Sequence, residues 1–193
     1  TIRFEDRQLL VTQMEAAGIL RSVANGYRIE FTHQTLYEYA RSREFVRNPN
    51  LFVDYVRHHQ QSLRVRPVLW NTITLMREAD RPAYRNVMTG LCGDGSLRNH
   101  IQFLLIDFLG ELTEPTDDES RWLLRFLNSA NTTRRALRSV TGNIAWFDRL
   151  ATSHFPKVMC DSTMNWHMVD VLNAAWKTRR KQCLQLIEDH WLA

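Results

Sequence analysis

The sequence predicts a mainly α-helical fold, with one β-hairpin near its start and then a HEAT-like helical array, an α-solenoid. Three observations predict it. Asn25-Gly26 lies between two β-capable segments, and both residues tolerate the positive φ that a tight hairpin turn needs. At Thr32 the hydrophobic period changes from two to helical, and no comparable strand pattern follows. The later apolar stripes mark helices of about 10 to 16 residues joined by short polar turns, which suits stacked helical pairs although no repeat motif recurs.

The elements follow in order. Glu5 to Ala17 reads as a helix with Leu9, Leu10, Met14 and Ala17 inward, stopped by Gly18. Ile19-Leu20 opens the hairpin, and Tyr27, Ile29 and Phe31 alternate with Arg28, Glu30 and Thr32, as in a strand with one buried face. Gln34 to Arg47 is helical, with Leu36, Tyr39, Ala40 and Phe45 on one side and Thr35 and Glu38 at capping-box spacing. Helix, hairpin and helix in this order make the C-terminal half of a winged-helix unit. Asn48-Pro49-Asn50 breaks the pattern and sets the boundary between residues 1–48 and a helical domain at 49–193, with Asn50 capping the next helix.

Beyond that break, Pro67 to Ala79 and the segment after Pro82 carry helical stripes, the second ending at Gly93-Asp94-Gly95. Ser96 caps Leu97 to Leu112, which is apolar on nearly every side and therefore a buried central helix. Thr116 and Glu119 form a capping box ahead of Trp122, Leu123, Leu124, Phe126 and Leu127. Asn131 to Val140 and Asn143 to Leu150 are shorter helices, the second anchored by Trp146-Phe147, and His154-Phe155-Pro156 is a loop or a helix start. Two helices close the chain, Trp166 to Thr178 and Arg179 to Trp191.

At 193 residues and 44% hydrophobic the chain can bury a sizeable core, and a net charge of +4 fits an ordinary mixed surface. Only three of its basic residues are lysines, Lys157, Lys177 and Lys181. Cys92, Cys160 and Cys183 are odd in number and widely spaced, which argues against a disulfide framework and for a reducing, cytoplasmic setting. No apolar run reaches the roughly 18 to 20 residues that span a bilayer. The chain starts at Thr1 in mid-pattern and reads as a piece of a longer protein.

Most candidate chemical signals have a plainer structural explanation. Phe103-Leu104-Leu105-Ile106-Asp107 has the look of a Walker B strand, but no G-x-x-x-x-G-K-[ST] loop accompanies it, so a buried helix with one polar residue explains it better. His58-His59, His100, His154 and His167 show no metal-ligand spacing, and no metal site is expected. Asp117-Asp118-Glu119 suits the first turn of a helix. The six tryptophans, at helical spacing beside Leu and Phe, read as core, and no nucleophile signature is present, so no catalytic residue is expected. His33 is the exception. It stands where the strand meets the following helix, and free N–H groups at a helix start favour an anion, although a capping histidine would occupy the same place.

Ile19-Leu20, then Phe31-Thr32-His33-Gln34-Thr35-Leu36-Tyr37-Glu38-Tyr39-Ala40-Arg41 and Phe45, resembles the winged-helix segment of STAND-class NTPases. The segment is most similar to that of NACHT-type ATPases from bacterial defence systems and animal innate-immune receptors, with their pattern G-[IL]-L … F-x-H-x-x-[LF]-x-[ED]-Y-x-x-A-R. The match covers about a fifth of the chain. The resemblance implies that His33 contacts the β-phosphate of ADP held by an upstream NTPase domain, so that His33 is the cofactor-binding residue and the fragment alone binds neither ADP nor ATP. It further implies a switch: a protein ligand, phage- or pathogen-derived, on the helical array would open the parent, which would exchange nucleotide and form a homo-oligomer. The P-loop, Walker B and sensor residues are all absent from these 193 residues, so the fragment itself is not expected to be an enzyme. Two alternatives stay open, a winged-helix nucleic-acid-binding protein and a plain helical-repeat scaffold.

Overall fold

The computed structural model describes residues 4–23 and 28–192. It is mainly helical, with one two-stranded antiparallel hairpin. The chain forms two compact units, residues 1–84 and 85–193. The first therefore runs well past the break at residue 48, because the two helices that follow the break pack back onto the one before it.

In the first unit, α1 (Phe4–Ala16) ends in a Schellman turn: Ile19 N–H donates to Met14 O at 2.9 Å and Gly18 N–H to Glu15 O at 2.9 Å. Gly18 has φ of 69°, left-handed backbone that a side chain would strain, which is why the helix stops there. Strands β1 (Leu20–Val23) and β2 (Arg28–Phe31) pair antiparallel, Leu20 opposite Phe31 and Val23 opposite Arg28. The expected Asn25-Gly26 turn and Tyr27 lie outside the described residues. Two expectations of burial fail here. Leu9 and Leu10 are 61% and 51% exposed, since α1 has β1 as its main neighbour, and Ile29 is 49% exposed because a two-stranded ribbon covers neither face for itself.

Helix α2 (Gln34–Arg47) is followed by α3 (Asn50–His59) and α4 (Val65–Ala79). Its buried residues are Glu38, Ser42 and Phe45, whereas Tyr39 and Ala40, expected inward, are exposed. The reason is α4, which packs on the Ser42 side. Ser42 is fully buried, and its hydroxyl donates to Glu38 O at 2.8 Å, with a longer contact to Val68 O of α4 at 3.4 Å. A small residue there lets the two helices approach, and it turns the face bearing Tyr39 outward. Phe45, Phe52, Val56, Leu69, Ile73 and Met76 fill the core beneath, with the Phe45 and Phe52 rings 5.0 Å apart. Pro49, not Asn50, occupies the N-cap of α3.

α5 (Arg81–Cys92) carries the chain across the division between the units. The second unit contains α6 (Asn99–Gly110), α7 (Asp117–Leu127), α8 (Thr133–Val140), α9 (Ile144–Leu150), α10 (Phe155–Met159) and α11 (Asn165–Trp191). Its core centres on α6, where Ile101, Leu105, Ile106 and Leu109 are fully buried, in line with its all-round apolar sequence. Arg98, not Ser96, precedes that helix; Ser96 instead donates its N–H and hydroxyl to Asp94 Oδ1 in a local turn.

The C-terminus of α6 is held by side chains of the α9 turn. Asn143 Nδ2 donates to Gly110 O at 2.8 Å and Leu112 O at 2.9 Å, while its Oδ1 accepts from Ala145 and Trp146 N–H as the α9 N-cap. Buried Trp146 donates its indole N–H to Leu109 O at 2.8 Å. One asparagine and one tryptophan thus satisfy carbonyls that a helix end leaves without partners. The capping box on α7 forms as read, Thr116 with Glu119. The chain departs from helical geometry at Arg179 (φ −129°, ψ 33°), so α11 is two helices meeting at a kink, in keeping with the expected closing helices Trp166 to Thr178 and Arg179 to Trp191. Trp166, expected in the core, is 82% exposed.

Candidate functional site

His33 is the N-cap of α2, set there because β2 holds the chain extended up to Phe31. Its backbone is still extended (φ −124°, ψ 139°), and its carbonyl accepts from Leu36 N–H at 3.1 Å. The imidazole makes no capping hydrogen bond and is exposed. A Ser, Thr, Asp or Asn in this position would turn its side chain onto the first-turn N–H groups; a histidine that does not leaves the ring, and the Gln34 and Thr35 N–H groups, without a side-chain cap. The predicted Thr35–Glu38 box does not form, since Thr35 already lies inside the helix. Gln34 Nε2 donates to Glu38 Oε1 at 2.6 Å instead.

Beside this junction, a groove of about 590 Å³ is lined by Arg21 and Arg28 of the hairpin, Thr32, Gln34, Tyr37 and Arg64. Glu30 lies between the two hairpin arginines, 3.4 Å from each, which leaves the groove with an excess of positive charge. Thr32 Oγ1 is buried without a hydrogen-bond partner among the described residues. The position of Arg64, just ahead of α4, could not be read from the sequence, because only the return of α4 onto α2 brings it to the hairpin. Arg41 is held away from the groove's chemistry: its guanidinium lies over the rings of Phe45 (4.7 Å) and Tyr55 (5.3 Å) and pairs with Glu44 at 2.5 Å.

The remaining candidates from the sequence have structural partners. Asp107 lies on α6, not on a strand, and forms a two-pronged pair with Arg135 of α8, whose Nε donates to Oδ1 at 2.8 Å. Asp117 pairs with Arg149 at 3.0 Å, and Asp118 with Arg85 at 2.5 Å and with Arg121. These guanidinium contacts hold the Asp118 carboxyl below its ordinary range. His58 and His59 place Nδ1 against the carbonyls of Asp54 and Tyr55. Among the described residues no three His, Cys, Asp or Glu side chains gather where they could hold a metal ion, and no helix is long and apolar enough to cross a membrane. All three cysteines are free, and burial pushes the Cys92 thiol up to about 12.

No family model, curated protein or solved structure matches the chain. In the second unit, His154, set aside in the sequence with the other histidines, has a different environment. His154 is 4% exposed, its Nε2 has no hydrogen-bond partner among the described residues, and burial together with the Lys157 charge lowers its pKa. Its setting before Phe155-Pro156 at a helix start was visible, but its burial was not.

Proposed function

We propose that this chain is the regulatory and sensing part of a STAND-class, NACHT-like NTPase. Residues 1–48 would be the C-terminal part of the winged helix, closing an upstream nucleotide-binding core around ADP through His33. Residues 49–193 would be a HEAT-like array that binds a protein ligand or clamps the resting state. The observation that carries the reading is the exposed, uncapped His33 imidazole at the start of α2, free to donate to a phosphate. The outward turn of the motif residue Tyr39, with Ala40 beside it, supports it, since both are exposed and offer a surface to a docking domain. The chain departs from the family pattern at Ser42, where the spacing asks for alanine; the hydroxyl serves the α2–α4 contact. Ligand binding to the array need supply only a few kcal/mol of differential affinity to open such a switch. Antiviral or innate-immune defence is the setting that the resemblance supports.

Two measurements test the proposal. The intact polypeptide should carry a G-x-x-x-x-G-K-[ST] loop upstream of Thr1, and ADP should be retained through purification. A charge-assisted hydrogen bond contributes about 1.5 to 3 kcal/mol, so His33→Ala should release ADP roughly 10- to 100-fold faster. Unchanged retention would support a plain helical scaffold and overturn the switch. The groove with Arg21, Arg28 and Arg64 favours a second reading, nucleic-acid binding by the winged helix. That reading requires a gel shift whose affinity falls steeply with salt and weakens in Arg28→Ala.

A further inference from the structure

We infer that the second unit carries a binding site for a phosphomonoester with a hydroxyl-bearing body, such as a sugar phosphate, in the cleft between the start of α8 and the α10–α11 connection. The inference is independent of the His33 reading. The cleft measures about 680 Å³, enough for a small phosphorylated metabolite. Arg134 on the first turn of α8 and Lys157 on α10 both line it, and both are exposed.

Three further features make this more than two surface cations. The first is the helix start itself. Thr132 occupies the N-cap of α8 but does not cap it, because its hydroxyl donates to Phe126 O at 2.7 Å; the Thr133 hydroxyl donates to Ser129 O at 2.7 Å. The Thr133 N–H is taken by Ser129 O at 2.9 Å, but the Arg134 and Arg135 N–H groups have no side-chain cap, and together with the dipole they favour an anion. The second is His154, buried and lining the same cleft, with Nε2 lacking a partner among the described residues. A buried polar atom without a partner is rare in native folds, and a ligand atom in the cleft would satisfy it. The third is Asp161, whose Oδ1 accepts the N–H and hydroxyl of Thr163 at 3.0 and 2.7 Å. Its carboxylate is the acceptor that would select hydroxyls on the ligand body, and its negative charge disfavours polyphosphates. Two cations against one acid suit a single dianionic group better than a chain of them.

The test is a titration of the 193-residue chain with ribose 5-phosphate, inorganic phosphate and ribose, read by NMR of the His154 ring nitrogens. Ribose 5-phosphate should give a saturable shift at His154 and bind at least tenfold more tightly than inorganic phosphate, while ribose gives none. Arg134→Ala and Lys157→Ala should each weaken binding tenfold or more. Arg180→Ala, which removes the same charge from an exposed position on α11, should leave it unchanged. No saturable shift at His154 would overturn the assignment. So would equal affinity for phosphate and ribose 5-phosphate, or equal losses in all three variants.

Discussion

Gly110→Ala sets two known effects against each other. Within a helix, replacing glycine by alanine stabilises by about 1 kcal/mol, since glycine loses more backbone freedom on folding. Against this, a Cβ at position 110 would lie 2.6 Å from each of three atoms of Ser139 on α8: Cβ, Oγ and the backbone oxygen. Rotating the serine moves only Oγ, so the clash with Cβ and the carbonyl must be relieved by shifting one helix against the other. Overpacking of that kind costs about 1 to 3 kcal/mol. It also disturbs the Asn143 bond to Gly110 O, which a helix shift would stretch and which contributes about another 1 kcal/mol. The net expectation is a loss of about 1 to 3 kcal/mol. Thermal unfolding followed by far-UV circular dichroism should then show Tm lower by roughly 2 to 12 °C, at about 2 to 4 °C per kcal/mol for a chain of this size. Ser139→Ala should not rescue the variant, because it removes only Oγ. A neutral or raised Tm in Gly110→Ala would refute the close packing of α6 on α8.

Two further predictions concern the same unit. Asn143→Ala removes the α9 cap and leaves the Gly110 and Leu112 carbonyls without their donor, so urea unfolding should show a loss of about 2 to 3 kcal/mol, and Asn143→Asp, which restores only the cap, should recover part of it. His154, whose pKa is lowered by burial and by Lys157, with Arg134 and Asp161 lining the same cleft, contributes stability that is complete above the unfolded value near 6.5 and is lost as pH falls from there through the lowered folded value. Stability should therefore start to decline below about pH 6.5 in the wild type and stay flatter in His154→Gln, whereas the lowered Asp118, Asp148 and Asp161 act only below about pH 4.

Where the sequence was legible, the decisive interaction was local. Thr116 and Glu119 cap α7 as their spacing says, Gly18 ends α1, and one closing helix gives way to the next at Arg179, the expected division. Thr35 and Glu38 share the capping spacing yet form no box. The difference lies in where extended backbone ends: β2 runs to Phe31 and makes His33 the N-cap, which puts Thr35 one residue into the helix. The buried face of α2 was misread for a non-local reason. By hydrophobicity Tyr39 outranks Ser42, but α4 approaches on the side where the side chain is small. Trp166 shows the same limit, since helical spacing beside apolar residues does not reveal whether a neighbour covers them.

The two histidines at helix starts show how burial changes what one residue type can do. His33 is exposed, so its imidazole is already hydrogen-bonded to water, and a phosphate there gains only the difference between two hydrogen-bonded states. In the proposed switch such a contact would be strong enough to bias a closed state and weak enough to release. His154 Nε2 is buried and has no protein partner among the described residues, and a buried polar group left without any partner costs about 1 to 3 kcal/mol. A ligand that satisfies this nitrogen recovers that amount in addition to its own contacts with Arg134 and Lys157. An anion would also stabilise the imidazolium and raise the pKa that burial lowers, so binding at His154 should take up protons near pH 6. Calorimetric titration of ribose 5-phosphate in two buffers of different ionisation enthalpy measures that uptake directly. Identical enthalpies in both buffers would show that the ligand does not reach the buried ring.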